Sequence, residues 1–195
     1  MRGDHVCVGA YDIDARVNVR VLTPDGNYFH GSSAFDVGQL GELRYYTLRS
    51  AAPPHVEDAL LSSWKCLEYA TDLRSLIMQH CEIVRGPLRQ TFERKLRRSA
   101  WNGSAYIGPE AVPAYSVCFW EADQHLILDS SEAGRIRFAY PQARGHCYVP
   151  YVGCKEPPEA IPKGALVRLS LAKWWQPDGV LNDPRCYLQV SGVFA

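Results

Sequence analysis

Residues 163–195 read KGALVRLSLAKWWQPDGVLNDPRCYLQVSGVFA, and this stretch decides the fold class of the chain. In its first half Ala165, Val167, Leu169 and Leu171 alternate with Leu166, Arg168, Ser170 and Ala172. In its second half Tyr187, Leu188, Val190, Val193 and Phe194 supply β-prone side chains, so the segment predicts two strands closing the chain as a hairpin. Between them residues 176–185 hold Pro177, Asp178-Gly179, Asn182-Asp183 and Pro184, which makes the connection a loop of about ten residues rather than a tight turn. Lys173, Trp174, Trp175, Arg185 and Tyr187 sit at the mouth of that loop. Cations beside flat aromatic faces suit a single-stranded nucleic acid, whose phosphates need charge and whose unstacked bases need a surface. Two adjacent indoles at a strand end also suit core packing, and strand alternation turns one inward and leaves the other free.

The first part of the chain has the same texture. Val6, Val8 and Ala10, then Val17, Val19 and Val21 interleaved with Arg16, Asn18 and Arg20, predict strands. Thr23-Pro24-Asp25-Gly26 stops them as a β-turn. After a Gly- and Ser-bearing loop over residues 31–41, residues 43–48 return to β character with Tyr45 and Tyr46. Pro53-Pro54 then marks a boundary, because neither residue donates to a ladder or a helix interior.

From residue 57 to about 96 the spacing of Leu60, Leu61, Trp64 and Leu67, and then of Leu73, Leu76 and Ile77, predicts helix, with Thr71 or Asp72 as a cap. Gly86-Pro87 interrupts it. Residues 88–98 then predict a short basic helix that rests on Leu88, Phe92 and Leu96 and turns its cations to solvent. Past a turn at residues 101–104, β texture resumes at 116–120, 126–128, 135–140 and 147–152. The expectation is a mainly β chain with a helical insertion: a β module over 1–56, a helical linker with the basic helix over 57–103, and a second β module over 104–195. A single α+β domain is the alternative. No repeat relates the halves by eye.

Composition narrows the function. The 195 residues, 47% hydrophobic and 22% charged, describe a globular chain that buries a core. Its 21 basic and 21 acidic residues cancel, so any nucleic-acid site is a local patch or is completed by a partner. Seven cysteines without a CxxC pair favour neither a disulfide framework nor a zinc ribbon, and a reducing cytoplasm fits. No apolar run approaches about 18 residues and no secretion signal is apparent, so the reading is a cytoplasmic protein without membrane contact.

Two clusters imitate reactive sites. His55, Glu57 and Asp58 resemble an acid/base or metal group, but carboxylates just after Pro-Pro also favour the N-terminus of the helix expected next. His146, Cys147 and Cys154 lack a second close ligand pair, and a strand cysteine behaves as a small hydrophobe. Neither a nucleophile elbow nor a phosphate-binding glycine loop is present. The sequence therefore points away from catalysis and implies no cofactor or metal. The basic segment carries more weight: residues 85–98 hold six cations against Glu93 alone, and phosphate contacts are a ready use for them.

Several blocks resemble a known family. VRVLTPDG at 19–26, residues 38–42, PPHVED at 53–58, RLSLAKWW at 168–175 and CYLQVSG at 186–192 look like the bacterial dual OB-fold domain proteins, in the same order over nearly the whole chain. The resemblance implies two small OB-like barrels joined by the helical region. It also implies a nucleic-acid-binding role beside helicases or nucleases of mobile-element and anti-phage defence systems. In such barrels aromatics stack bases and cations track the backbone. The expected binding residues are Arg44, Tyr45 and Tyr46 in the first barrel, Lys173, Trp174 and Trp175 in the second, and Arg94, Arg97 and Arg98 for phosphates. The rival expectation is a protein-interaction module that docks on a partner enzyme without touching nucleic acid.

Overall fold

A computed structural model describes residues 5–31, 35–48, 50–131, 135–176 and 183–194. It divides into two compact units, Met1–Cys81 and Glu82–Ala195. The expected linker over 57–103 is therefore not a separate body. Its first part builds the sheet of the first unit and its last part belongs to the second.

In the first unit the strands are β1 (His5–Val6), β2 (Val8–Asp12), β3 (Val17–Leu22), β4 (Phe29–His30), β5 (Gln39–Thr47) and β6 (Asp58–Tyr69), followed by helix α1 (Leu73–His80). One sheet runs β2-β3-β6-β5, and β1 pairs with β4. The β2–β3 and β5–β6 pairs are antiparallel, and the β3–β6 pair is parallel. The TPDG turn forms as expected: the Gly26 amide donates to the Thr23 carbonyl at 2.9 Å, and Gly26 sits at φ 80, where an L side chain is strained. Asp72 caps α1 by accepting from the Ser75 amide at 2.9 Å. A small core forms from Val19, Val21 and Ala59, with Phe29, Phe35, Leu43, Tyr45 and Leu61 packed on it.

The expected helix after residue 57 is instead the twelve-residue strand β6. Its ladder with β5 slips twice: Tyr45 faces Leu61 while Arg44 faces Ser63, and Gly41 faces Cys66 while Leu40 faces Glu68. Ser62 and Leu67 are thus extra residues on β6. The first bulge lets Leu61 and Trp64, three apart, face the same side, so a bulged strand imitates helical spacing. The acidic residues before it cap no helix. Asp58 begins β6 and forms a buried ion pair with Arg20, beside the buried His55 and Glu57.

The second unit holds β7 (Ile83–Val84), β8 (Arg97–Arg98), β9 (Ala105–Ile107), β10 (Val117–Glu121), β11 (Leu126–Asp129), β12 (Arg137–Pro141), β13 (His146–Pro150), β14 (Ala160–Ile161), β15 (Leu166–Leu171) and β16 (Cys186–Phe194). The closing hairpin is β15–β16, and residues 177–182 of its loop lie outside the described residues. β10 pairs with β15, and after a bend at Asp123 and Gln124 the chain continues as β11, which pairs with β12. β12 pairs with β13, and β13 meets β16 in parallel through the Tyr151–Val190 bridge. These pairings close a barrel around Trp120, Phe138, Ile107, Leu126, Leu169 and Leu188. Trp120 has no exposed surface, and its indole N–H donates to the Gly86 carbonyl at 2.9 Å.

The expected basic helix does not form. Residues 88–90 and 92–94 are 3-10 turns, and Phe92, Glu93 and Arg94 have φ of 49, 58 and 63. Left-handed backbone costs L residues about 1–2 kcal/mol each. Complete burial of Phe92 against Tyr115, with ring centroids 5.6 Å apart, offsets that strain. Leu88 and Phe92 are buried and Leu96 is partly so, which means the apolar stripe was real although its helix was not. No helix among the described residues is long and apolar enough to cross a membrane.

Candidate nucleic-acid interface

The outer surface of the second barrel follows from strand alternation. On β12 Phe138 and Tyr140 turn into the core, so Arg137 and Ala139 face out. On β13 Cys147 and Val149 turn in, which sends Tyr148 out opposite Ala139. The Arg137 guanidinium lies 4.1 Å from the Tyr148 ring centroid, and its Nε donates to Asp129 Oδ2 at 3.0 Å. Asp129 is held below the usual carboxylate range, first by the Ser131 hydroxyl and amide and then by Arg137, so the anchor stays ionised. Ile127, 64% exposed, extends the row on β11.

A second pair of this kind lies on the neighbouring strands. Arg185 sits 4.2 Å from the Tyr106 ring centroid. Tyr106 on β9 is directly opposite Tyr187 on β16, with centroids 6.3 Å apart, and Trp175 is 6.0 Å beyond Tyr187. Two backbone hydrogen bonds, of 3.1 and 2.9 Å, tie Trp175 to Arg185 across the base of the loop. The hairpin formed by β8 and β9 joins the two pairs. Ser104 bridges to Tyr148, and the Tyr148 amide donates to the Gly103 carbonyl at 3.0 Å. Arg98 Nε donates to the His146 carbonyl at 2.9 Å. At the hairpin tip Trp101 is 94% exposed. Among the described residues, the surface thus carries two arginine-over-tyrosine pairs, Tyr187 and two accessible indoles.

The expected residues fare differently. Alternation splits the tryptophan pair: Trp174 packs on the core and Trp175 is 55% exposed. Lys173 is exposed at the loop's start. Arg97 lies beside Tyr106 in the ladder but also pairs with Glu110 at 2.6 Å. Lys95 pairs with Glu93 inside the segment, whereas Arg85 pairs with Glu121 and Arg97 with Glu110 from farther along the chain, so carboxylates neutralise part of the basic segment; Arg94 remains exposed. In the first unit Arg44 and Tyr46 face out, whereas Tyr45 faces in and its hydroxyl donates to Asp12 at 2.7 Å. Arg137, Tyr148, Tyr106 and Trp101 were not anticipated. Their alternation was visible, but their meeting depends on cross-strand pairing that no single segment encodes.

Of the reactive-looking clusters, Asp58 is taken up by Arg20, and His146, Cys147 and Cys154 differ in burial. Burial pushes the Cys147 thiol up to about 11, while His146 and Cys154 are exposed. Among the described residues no three His, Cys, Asp or Glu side chains gather as a metal site.

A bent first strand pairing with the second and fourth, and a third pairing in parallel with the fifth, define the second unit as an OB fold. In this class the face of the second and third strands, here β12 and β13, binds oligonucleotides or oligosaccharides. In the first unit β2-β3-β6-β5 repeats the second-third-fifth-fourth order of the same fold. The chain belongs to the dual OB-containing domain family, whose model matches residues 1–193. No curated protein and no solved structure matches it.

Proposed function

We propose that the protein binds single-stranded nucleic acid without catalysing a reaction, as an accessory to a helicase- or nuclease-type enzyme in bacterial DNA processing or defence. The observation that carries this reading is the aromatic and cationic outer face of the second barrel. Its two arginines rest on tyrosine rings beside exposed Trp101 and Trp175. Stacked bases take the ring faces, and Arg137, Arg185 and Lys173 take phosphates. A neutral polysaccharide uses aromatic platforms as well, but it has no charge for guanidinium groups to meet.

Fluorescence anisotropy with a labelled single-stranded oligonucleotide at low salt tests the reading. Trp101→Ala and Tyr148→Ala are each expected to weaken binding about ten- to hundred-fold, the usual cost of one lost stacking platform. Absence of binding, or affinity indifferent to both substitutions, overturns it. The docking-module reading is favoured by the carboxylates that occupy Arg85, Lys95 and Arg97. A stoichiometric partner bound by a chain that ignores oligonucleotides would select it.

A further inference from the structure

Among the described residues β5 is the outer strand of the first unit's sheet, with β6 on one side only. Folded proteins blunt such edges with shortness, proline, lysine or bulges. β5 has nine residues, no proline and no lysine. Both irregularities of its ladder insert their extra residue on β6, so β5 itself runs regularly. Leu43 and Tyr45 face the core, and alternation sends Leu40, Glu42, Arg44 and Tyr46 to the other face, where Tyr46 is 68% exposed.

We propose that this edge pairs antiparallel with the same edge of a second copy, about a two-fold axis at Leu43. Centred there, all nine residues find partners: Gln39 with Thr47, Leu40 with Tyr46, Gly41 with Tyr45, Glu42 with Arg44, and Leu43 with its own counterpart. The two-fold axis makes the Glu42–Arg44 pair twice and covers each exposed Tyr46 with a leucine. Registers that keep faces matched change in steps of two residues. The neighbouring ones centre on Glu42 or on Arg44 and oppose glutamate to glutamate or arginine to arginine, which is destabilising. The charge pattern therefore selects one register and one occupant. An unrelated extended peptide would gain the backbone bonds without this self-complementarity, and the isologous contact closes at two copies.

Sedimentation velocity on the full chain tests the proposal. The protein is expected to be a dimer at micromolar concentration. Arg44→Glu and Glu42→Arg each turn both symmetric pairs repulsive, weakening the dimer roughly ten-fold or more. Mixing the two variants restores a heterodimer, because each then opposes the other's sign, and the double swap dimerises like the parent. Arg44→Glu faces only Ser63 in its own sheet, whereas Glu42→Arg faces Lys65. If Glu42→Arg fails to fold by circular dichroism, Arg44→Glu alone still decides the matter, by its loss of the dimer. A monomeric parent, reversal variants that dimerise as tightly as the parent, or no rescue by mixing or by the double swap overturns the proposal.

Discussion

Tyr45 links the first unit's core to a titration. Burial first, and then its hydrogen bond to Asp12, push its phenol up to about 12. In the unfolded chain the phenol titrates near 10. Between those values the unfolded state has released a proton that the folded state keeps, so this contribution is whole below about pH 10 and is lost as pH rises toward 12. Asp12 works in the opposite sense. The Ala15 amide and then the Tyr45 hydroxyl hold its carboxyl below the usual range, so its contribution is present above its unfolded pKa and disappears as pH falls through the folded one. Tyr45→Phe is expected to cost about 1 kcal/mol near neutrality and to flatten the alkaline decline. Urea titrations at neutral and at alkaline pH measure both, and an unchanged alkaline slope would contradict the assignment.

Among the elements, the hairpin carrying Trp101 depends on one residue. Gly103 sits at φ +69, and a Cβ there would come within 3.0 Å of the Tyr148 ring and of the His146 carbonyl. Gly103→Ala is therefore expected to lose about 1–2 kcal/mol of stability from the backbone strain. It should also loosen the hairpin from β13, seen as faster hydrogen exchange at the Tyr148 amide. Unchanged protection would mean that the neighbours shift to admit the methyl group. Strand β6 teaches a different lesson about elements. Its leucine spacing was legible and its type was not, because bulges at Ser62 and Leu67 break the two-residue period that identifies a strand. The basic segment misled in the same way: Leu88, Phe92 and Leu96 point inward at fourfold spacing, but three left-handed residues do what a helix was expected to do.

For the whole molecule, the mainly β architecture and the closing hairpin were legible because both rest on local alternation. The shared strand order of the two units was not, since it depends on the parallel β3–β6 and β13–β16 contacts between distant segments. Net charge, in contrast, is a property of the sequence alone, and its effect on binding is quantitative. If Arg137, Arg185 and Lys173 make the phosphate contacts, the logarithm of affinity should fall with the logarithm of salt concentration at a slope of about −2, near −0.7 per contact on a single strand. A slope of about −6 would bring the whole basic segment into the interface as well.

The carboxylates on Arg85, Lys95 and Arg97 bear on how quickly a ligand arrives. With those charges cancelled locally and no net charge overall, little field reaches beyond the surface to draw a polyanion in. Association would then run at the ordinary rate of about 10⁵–10⁷ M⁻¹s⁻¹ for unsteered encounters. Tight binding would come from slow departure, which suits a protein handed its strand by an enzyme at close range better than one that must search for it.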